Sequence, residues 1–112
     1  VAHLVLQSNP DTDIYSDICH ILASAYIFLR DADKALEYAM AGLAVYSEEE
    51  AIYYVHLKNV GEIYGIQGEF DKAIEALTPI LYSEYAHAIS KSSAANSLGS
   101  FCFLYGTIVG YN

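Results

Sequence analysis

The residues of this chain with chemistry to offer are four histidines, two cysteines and a run of acids. His3, His20, His56 and His87 are not spaced as a metal-binding pair. The adjacent pair Cys19-His20 would place a nucleophile next to a base. On a helix, however, neighbouring side chains point about 100° apart, which is unsuited to proton transfer. No glycine-rich phosphate loop and no paired-acid motif occurs. We therefore expect no catalytic residue, no metal and no cofactor. His20 is retained as a contact residue or pH sensor. The acidic run Ser47-Glu48-Glu49-Glu50 reads as a capping box, with Glu50 three residues after Ser47. Its carboxylates also suit the positive end of a helix.

Bulk properties narrow the partners. The chain has 112 residues, 54% of them hydrophobic and 17% charged, which predicts one ordered domain and argues against disorder. Net charge is −9, from 14 acids against 5 bases. A nucleic-acid partner would need a basic patch, and anionic membrane is disfavoured for the same reason. No apolar run reaches the ~18 residues of a membrane span. The N-terminus lacks a signal-peptide pattern, and with no initiating Met the chain reads as a segment of a longer protein. The cytoplasm is the favoured compartment, with an extracytoplasmic sensor region as the other reading.

The elements that must position these residues follow from an internal repeat, the feature to seek first. Asp33-Lys34-Ala35-Leu36-Glu37 returns as Asp71-Lys72-Ala73-Ile74-Glu75, a shift of 38. Leu22, Ala23, Tyr26 and Leu43 return as Val60, Gly61, Tyr64 and Leu81. The phase continues through Leu98-Gly99, Cys102 and Gly106. Each unit reads as two helices. Ile18, Leu22, Tyr26 and Leu29 form the apolar stripe of one first helix, and Leu57, Val60, Ile63 and Tyr64 that of the next. Polar turns follow at Arg30-Asp31 and Gln67-Gly68-Glu69, with Gly68 suited to a left-handed position. The second helices carry Ala35, Leu36, Ala39 and Leu43, then Ala73, Ile74, Leu77 and Leu81, with Ala35 and Ala73 allowing close helix approach. Asp11-Thr12-Asp13 is expected to cap the first helix. Pro79 kinks the second helix of the middle unit or, with Thr78, begins a new one; the retained phase of Ile80 and Leu81 favours the kink. Tyr53, Tyr54, Tyr82 and Tyr85 fall near unit junctions, where core packing is favoured over an interface role.

The ordered set Leu57, Val60-Gly61, Tyr64, Gly68, Phe70 and Ala73 resembles the signature of the tetratricopeptide repeat family. The first copy keeps Leu22, Ala23, Tyr26, Ala35 and Leu43, and the third keeps Leu98, Gly99 and Gly106. The family's unit is about 34 residues; four more are about one helical turn, which keeps the same faces inward. The resemblance implies an all-α fold of antiparallel helix-turn-helix repeats stacked as a right-handed superhelix. Repeats would span 13–46 and 48–83, with 86–110 as a first helix or capping helix and 1–10 as the tail of a preceding helix. Cys19 and Cys102 then lie two units apart. Stacked helices are roughly 8–10 Å apart, so the pair exceeds the ~7 Å reach of a disulfide; both read as buried small hydrophobes.

The resemblance also implies a binding face, because first helices line the concave groove of such stacks. Carried over by position, the groove presents His20, Ser24 and Ile27, then Lys58, Asn59 and Glu62, then Asn96, Ser100 and Phe103. This strip suits an extended peptide or a helix. A carboxylate-clamp ligand is disfavoured, since the clamp positions hold His20, Ser24, Asn59, Ser93 and Ser97 and only Asn59 matches. The expected function is a non-catalytic protein- or peptide-binding module. The alternative is the sensory region of a bacterial signalling protein, such as a diguanylate cyclase, a histidine kinase or a peptide-responsive regulator. The apolar end, with Phe101, Phe103, Leu104, Ile108 and Val109, is expected to continue into further repeats or to self-associate.

Overall fold

The computed structural model describes residues 10–108, with side chains described for 14–103. Within them the chain forms α1 (Pro10–Phe28), α2 (Ala32–Leu43), α3 (Ala51–Ile66), α4 (Phe70–Tyr82) and α5 (Ala88–Ile108), and no strand. Each helix packs on its neighbour in sequence, and α1 and α5 both pack on α3. The helices α2 and α4 do not touch. The first helices α1, α3 and α5 thus form one close-packed layer, while α2 and α4 splay apart in a second. A layer whose members touch, backed by one whose members do not, lies on the inside of the curve.

The two helical hairpins close with the same turn. Arg30 N–H donates to Ile27 (3.1 Å) and Asp31 N–H to Tyr26 (2.8 Å). Thirty-eight residues on, Gly68 N–H donates to Gly65 (3.1 Å) and Glu69 N–H to Tyr64 (2.8 Å). Both are Schellman turns, which need a left-handed residue after the helix. Gly68 supplies it at φ 80°, and Arg30 adopts it at φ 66° despite its Cβ. The following caps differ. Asp31 accepts from Lys34 N–H at 3.1 Å, whereas Glu69 makes no side-chain cap.

Packing follows the 38-residue phase. Ala23 and Gly61 are buried at equivalent positions, as are Ala35 and Ala73, and Ala39 and Leu77. In the first hairpin Ala23, Ala35 and Ala39 share one cluster. In the second, a Cβ on Gly61 would stand 2.5 Å from Leu77 Cγ. The missing methyl of Gly61 therefore makes room for the larger side chain opposite, and the interface keeps its volume by a different division. Gly42 does the same for a neighbour, since a Cβ there would lie 2.5 Å from the His56 ring.

Several expectations need correction. Pro10 lies within α1, and Asp11-Thr12-Asp13 lie inside α1 rather than before it. Helix α1 buries Ser16, Cys19 and Ala23. Ile18 is 48% exposed and Leu29 65%. Ile14, Ile18, Ile21 and Phe28 form an exposed stripe: His56 and Asn59, the 38-residue counterparts of Ile18 and Ile21 in α3, are buried, but no described helix stands ahead of α1 to cover its own stripe. The expected capping box does not cap α3, whose cap residue is Glu50 and not Ser47. Glu50 accepts from Ser47 N–H at 2.8 Å, but the Ser47 hydroxyl accepts from Glu49 N–H at 3.3 Å, and α3 begins only at Ala51. These bonds close a turn, which the Tyr54 hydroxyl ties down by donating to the Glu48 carbonyl at 2.7 Å.

The α4 helix runs through Pro79 to Tyr82, so Thr78-Pro79 does not start a new helix; the Thr78 hydroxyl donates back to the Ile74 carbonyl at 2.7 Å. Cys19 is buried and Cys102 exposed, both as free thiols. Of the junction tyrosines, Tyr54 is core, while Tyr82 and Tyr85 are exposed. Gly99 is also exposed and has open space beside it, because no described helix packs on α5 as α2 packs on α1. Val109, and residues 1–9, lie outside the described residues.

Candidate interaction face on the first helices

The groove residues expected from the resemblance lie on the first helices α1, α3 and α5. Two cross-ties set their register. Asn59 Nδ2 of α3 donates to His20 Nδ1 of α1 at 2.8 Å. The Ser97 hydroxyl of α5 donates to Glu62 Oε2 of α3 at 3.4 Å. Glu62 also pairs with Lys58 one turn earlier, at 3.5 Å. An isolated partly exposed pair of this kind contributes about 0.3–0.5 kcal/mol, so its value here lies in fixing where the charges stand.

The nine expected residues divide by exposure. Ser24, Asn96, Ser100 and Phe103 are exposed. His20, Ile27, Lys58 and Glu62 are half-buried. Asn59 is only 3% exposed and spends its amide on His20. It acts as a tie between helices and not as a contact open to a ligand. The face that remains is mixed, with one ammonium and one carboxylate between hydroxyl, amide and aromatic groups. Among the described residues no group of three or more His, Cys, Asp or Glu is placed to hold a metal ion.

A residue that sequence reasoning passed over lies just beneath this face. His56 is completely buried, at a position where α1 has Ile18 and α5 has Ala94. Its ring stacks on Tyr46 (centroids 6.2 Å apart), meets His20 edge-on (6.5 Å) and lies against Gly42. Nε2 shares a 2.7 Å hydrogen bond with the buried Ser16 hydroxyl, and Nδ1 has no partner. An unpaired acceptor is cheaper to bury than an unpaired donor. The proton therefore belongs on Nε2, which donates to Ser16. Burial holds His56 down at about 4, aided by His20 and opposed by Asp17. The ring is thus neutral at ordinary pH. The signal in the sequence was a polar residue one turn before Val60 on the buried stripe; its partner Ser16 could not be read, because that needs the register of two helices 40 residues apart.

Residues 16–48 match the family model of the tetratricopeptide repeat. This chain carries a tetratricopeptide repeat. The matched segment runs from the buried Ser16 of α1 through α2 to the loop before α3, which is the first hairpin. The second hairpin, α3–α4, repeats its turn geometry and its burial pattern. No curated protein and no solved structure matches the chain. Tetratricopeptide repeats are protein-interaction modules, and the all-α hairpin stack seen here is the architecture that goes with them. No helix among the described residues is long and apolar enough to cross a membrane.

Proposed function

We propose that this chain is a non-catalytic docking module that binds an extended segment or a helix of a partner protein along the α1–α3–α5 layer. The observation that carries this reading is the cross-tied layer itself. Three first helices lie side by side on the inside of the curve, and Ser24, Lys58, Asn96, Ser100 and Phe103 reach solvent from all three. A peptide laid across them would meet backbone-compatible hydrogen-bonding groups, one aromatic anchor and a fixed charge pair, the combination that extended-peptide recognition uses. Pre-formed ties also lower the ordering cost of binding.

The test is a selection of peptides from a displayed random library against this chain, followed by binding measurements on a selected peptide. Lys58→Glu combined with Phe103→Ala should weaken that peptide at least tenfold, which is about 1.4 kcal/mol, while circular dichroism stays unchanged. Undiminished binding by the folded double variant would remove the layer from consideration as the docking face.

A further inference from the structure

A second site lies away from that layer, between α3 and α4. A recess of about 240 Å³ is lined by Glu48, Tyr53, Tyr54, Leu57, Glu75, Ala76 and Pro79, and shares no residue with the proposed docking face. Tyr54 is buried and meets Tyr53 edge-on, with centroids 5.1 Å apart. The two rings, with half-buried Leu57 and Ala76, form an aromatic and apolar floor. Glu48 and Glu75 are exposed and both line the recess, one from the loop before α3 and one from α4. The field of Glu48 reaches the floor: the Tyr53 hydroxyl is held above its ordinary pKa, first by burial and next by Glu48.

Ala76 offers only a methyl to the recess. Ala76 occupies the position that Tyr38 holds in the first hairpin, where the ring stacks on Tyr26 at 5.7 Å. The second hairpin has a methyl at that point. No lysine, arginine or histidine is among the lining residues. The nearby cations are committed elsewhere, Lys58 to Glu62 and Lys72 over the Tyr64 ring at 5.7 Å.

Size and charge decide the occupant. Small-molecule sites run to about 300–1,000 Å³, so this recess is too small for a cofactor and suits one long side chain. An aromatic floor attracts a cation through the ring face, and two carboxylates exclude anions and favour a cation over an apolar tip. We infer that the recess receives a single lysine or arginine side chain of a partner protein, its alkyl stem on Tyr53, Leu57 and Ala76 and its cation between Glu48 and Glu75. It is an anchor point separate from the α1–α3–α5 layer, and it stands whether or not that layer binds peptide.

The test uses capped amino acids as probes: the Nα-acetyl methylamides of lysine, arginine and norleucine, at matched ionic strength, followed by amide chemical shifts in the whole chain. The lysine and arginine probes should give saturable shifts at Tyr53, Tyr54, Glu75 and Ala76, with half-saturation on the order of 10 mM for a single exposed cation–ring and ion-pair contact. The norleucine probe should not. Glu48→Gln with Glu75→Gln should weaken the response about tenfold. Ala76→Tyr, which replaces a lining methyl with a ring, should weaken it as well. The Lys58→Glu, Phe103→Ala variant should leave it intact. Equal shifts with norleucine, or cationic probes that act as strongly on the two recess variants as on the original chain, would overturn the assignment. The carboxamide pair changes only the two carboxylates, so the result does not depend on how the chain accommodates the new tyrosine.

Discussion

Arg30 and Gly68 hold the same corner of two successive hairpins, and only one of them is suited to it. A side chain in the left-handed region costs about 1–2 kcal/mol, while glycine loses roughly 0.4–1 kcal/mol of extra chain freedom on folding. The balance favours glycine at both places. Arg30→Gly should raise stability in urea denaturation by about 0.5–1 kcal/mol, and Gly68→Ala should lower it by a similar amount. Shifts of equal sign would mean that the two turns are not equivalent. His56 supplies the second test at this scale. Its imidazole titrates near 6.5 in the unfolded chain and at about 4 in the fold. Above pH 6.5 the group has no effect on stability. As pH falls from 6.5 to about 4, the unfolded chain takes up the proton first, and the fold loses up to about 3 kcal/mol. Charged His56 would face His20 and Asp17 on α1 and no other titratable group that shifts it. In the Ser16→Ala, His56→Leu variant this acid loss should vanish from a pH series of thermal melts; an unchanged acid limb would assign it to the carboxylates. The histidine was visible in the sequence and its role was not, because burial is a property of the helix that covers it.

At the scale of elements, the division of volume between facing helices is the feature that sequence phase made legible. Small residues at 23, 35 and 39 return at 61 and 73, and the exception at 77 is matched by the loss of a methyl at 61. Gly61→Ala alone should cost about 1–3 kcal/mol by overpacking against Leu77. Leu77→Ala alone should cost about 2–5 kcal/mol. Together they recreate the alanine pair of the first hairpin, so the double variant should be less destabilised than the two costs combined by about 0.5 kcal/mol or more. Strict additivity in a double-mutant cycle would show that the two side chains do not share that space. What phase could not supply was the outer limit of the stack. Ile14, Ile18, Ile21 and Phe28 have the periodicity of a buried stripe, yet a stripe is buried only where another helix lies on it. The same reasoning explains Cys102 on α5, which reads as interior and is exposed.

At the scale of the whole molecule, hairpins, their order and their contacting faces were set out by the repeat, whereas curvature was not. That α2 and α4 stay apart while α1, α3 and α5 touch is a consequence of side-chain sizes summed over several contacts. It decides which layer is concave, and so which residues a partner can reach. Burial of Asn59 against His20 removes it from the proposed docking face. The most direct test is to add a selected peptide to the whole chain and map the amide shifts. The account predicts that they concentrate at Ser24, Lys58, Asn96, Ser100 and Phe103 on the three first helices. Shifts confined to the outward faces of α2 and α4 would contradict it.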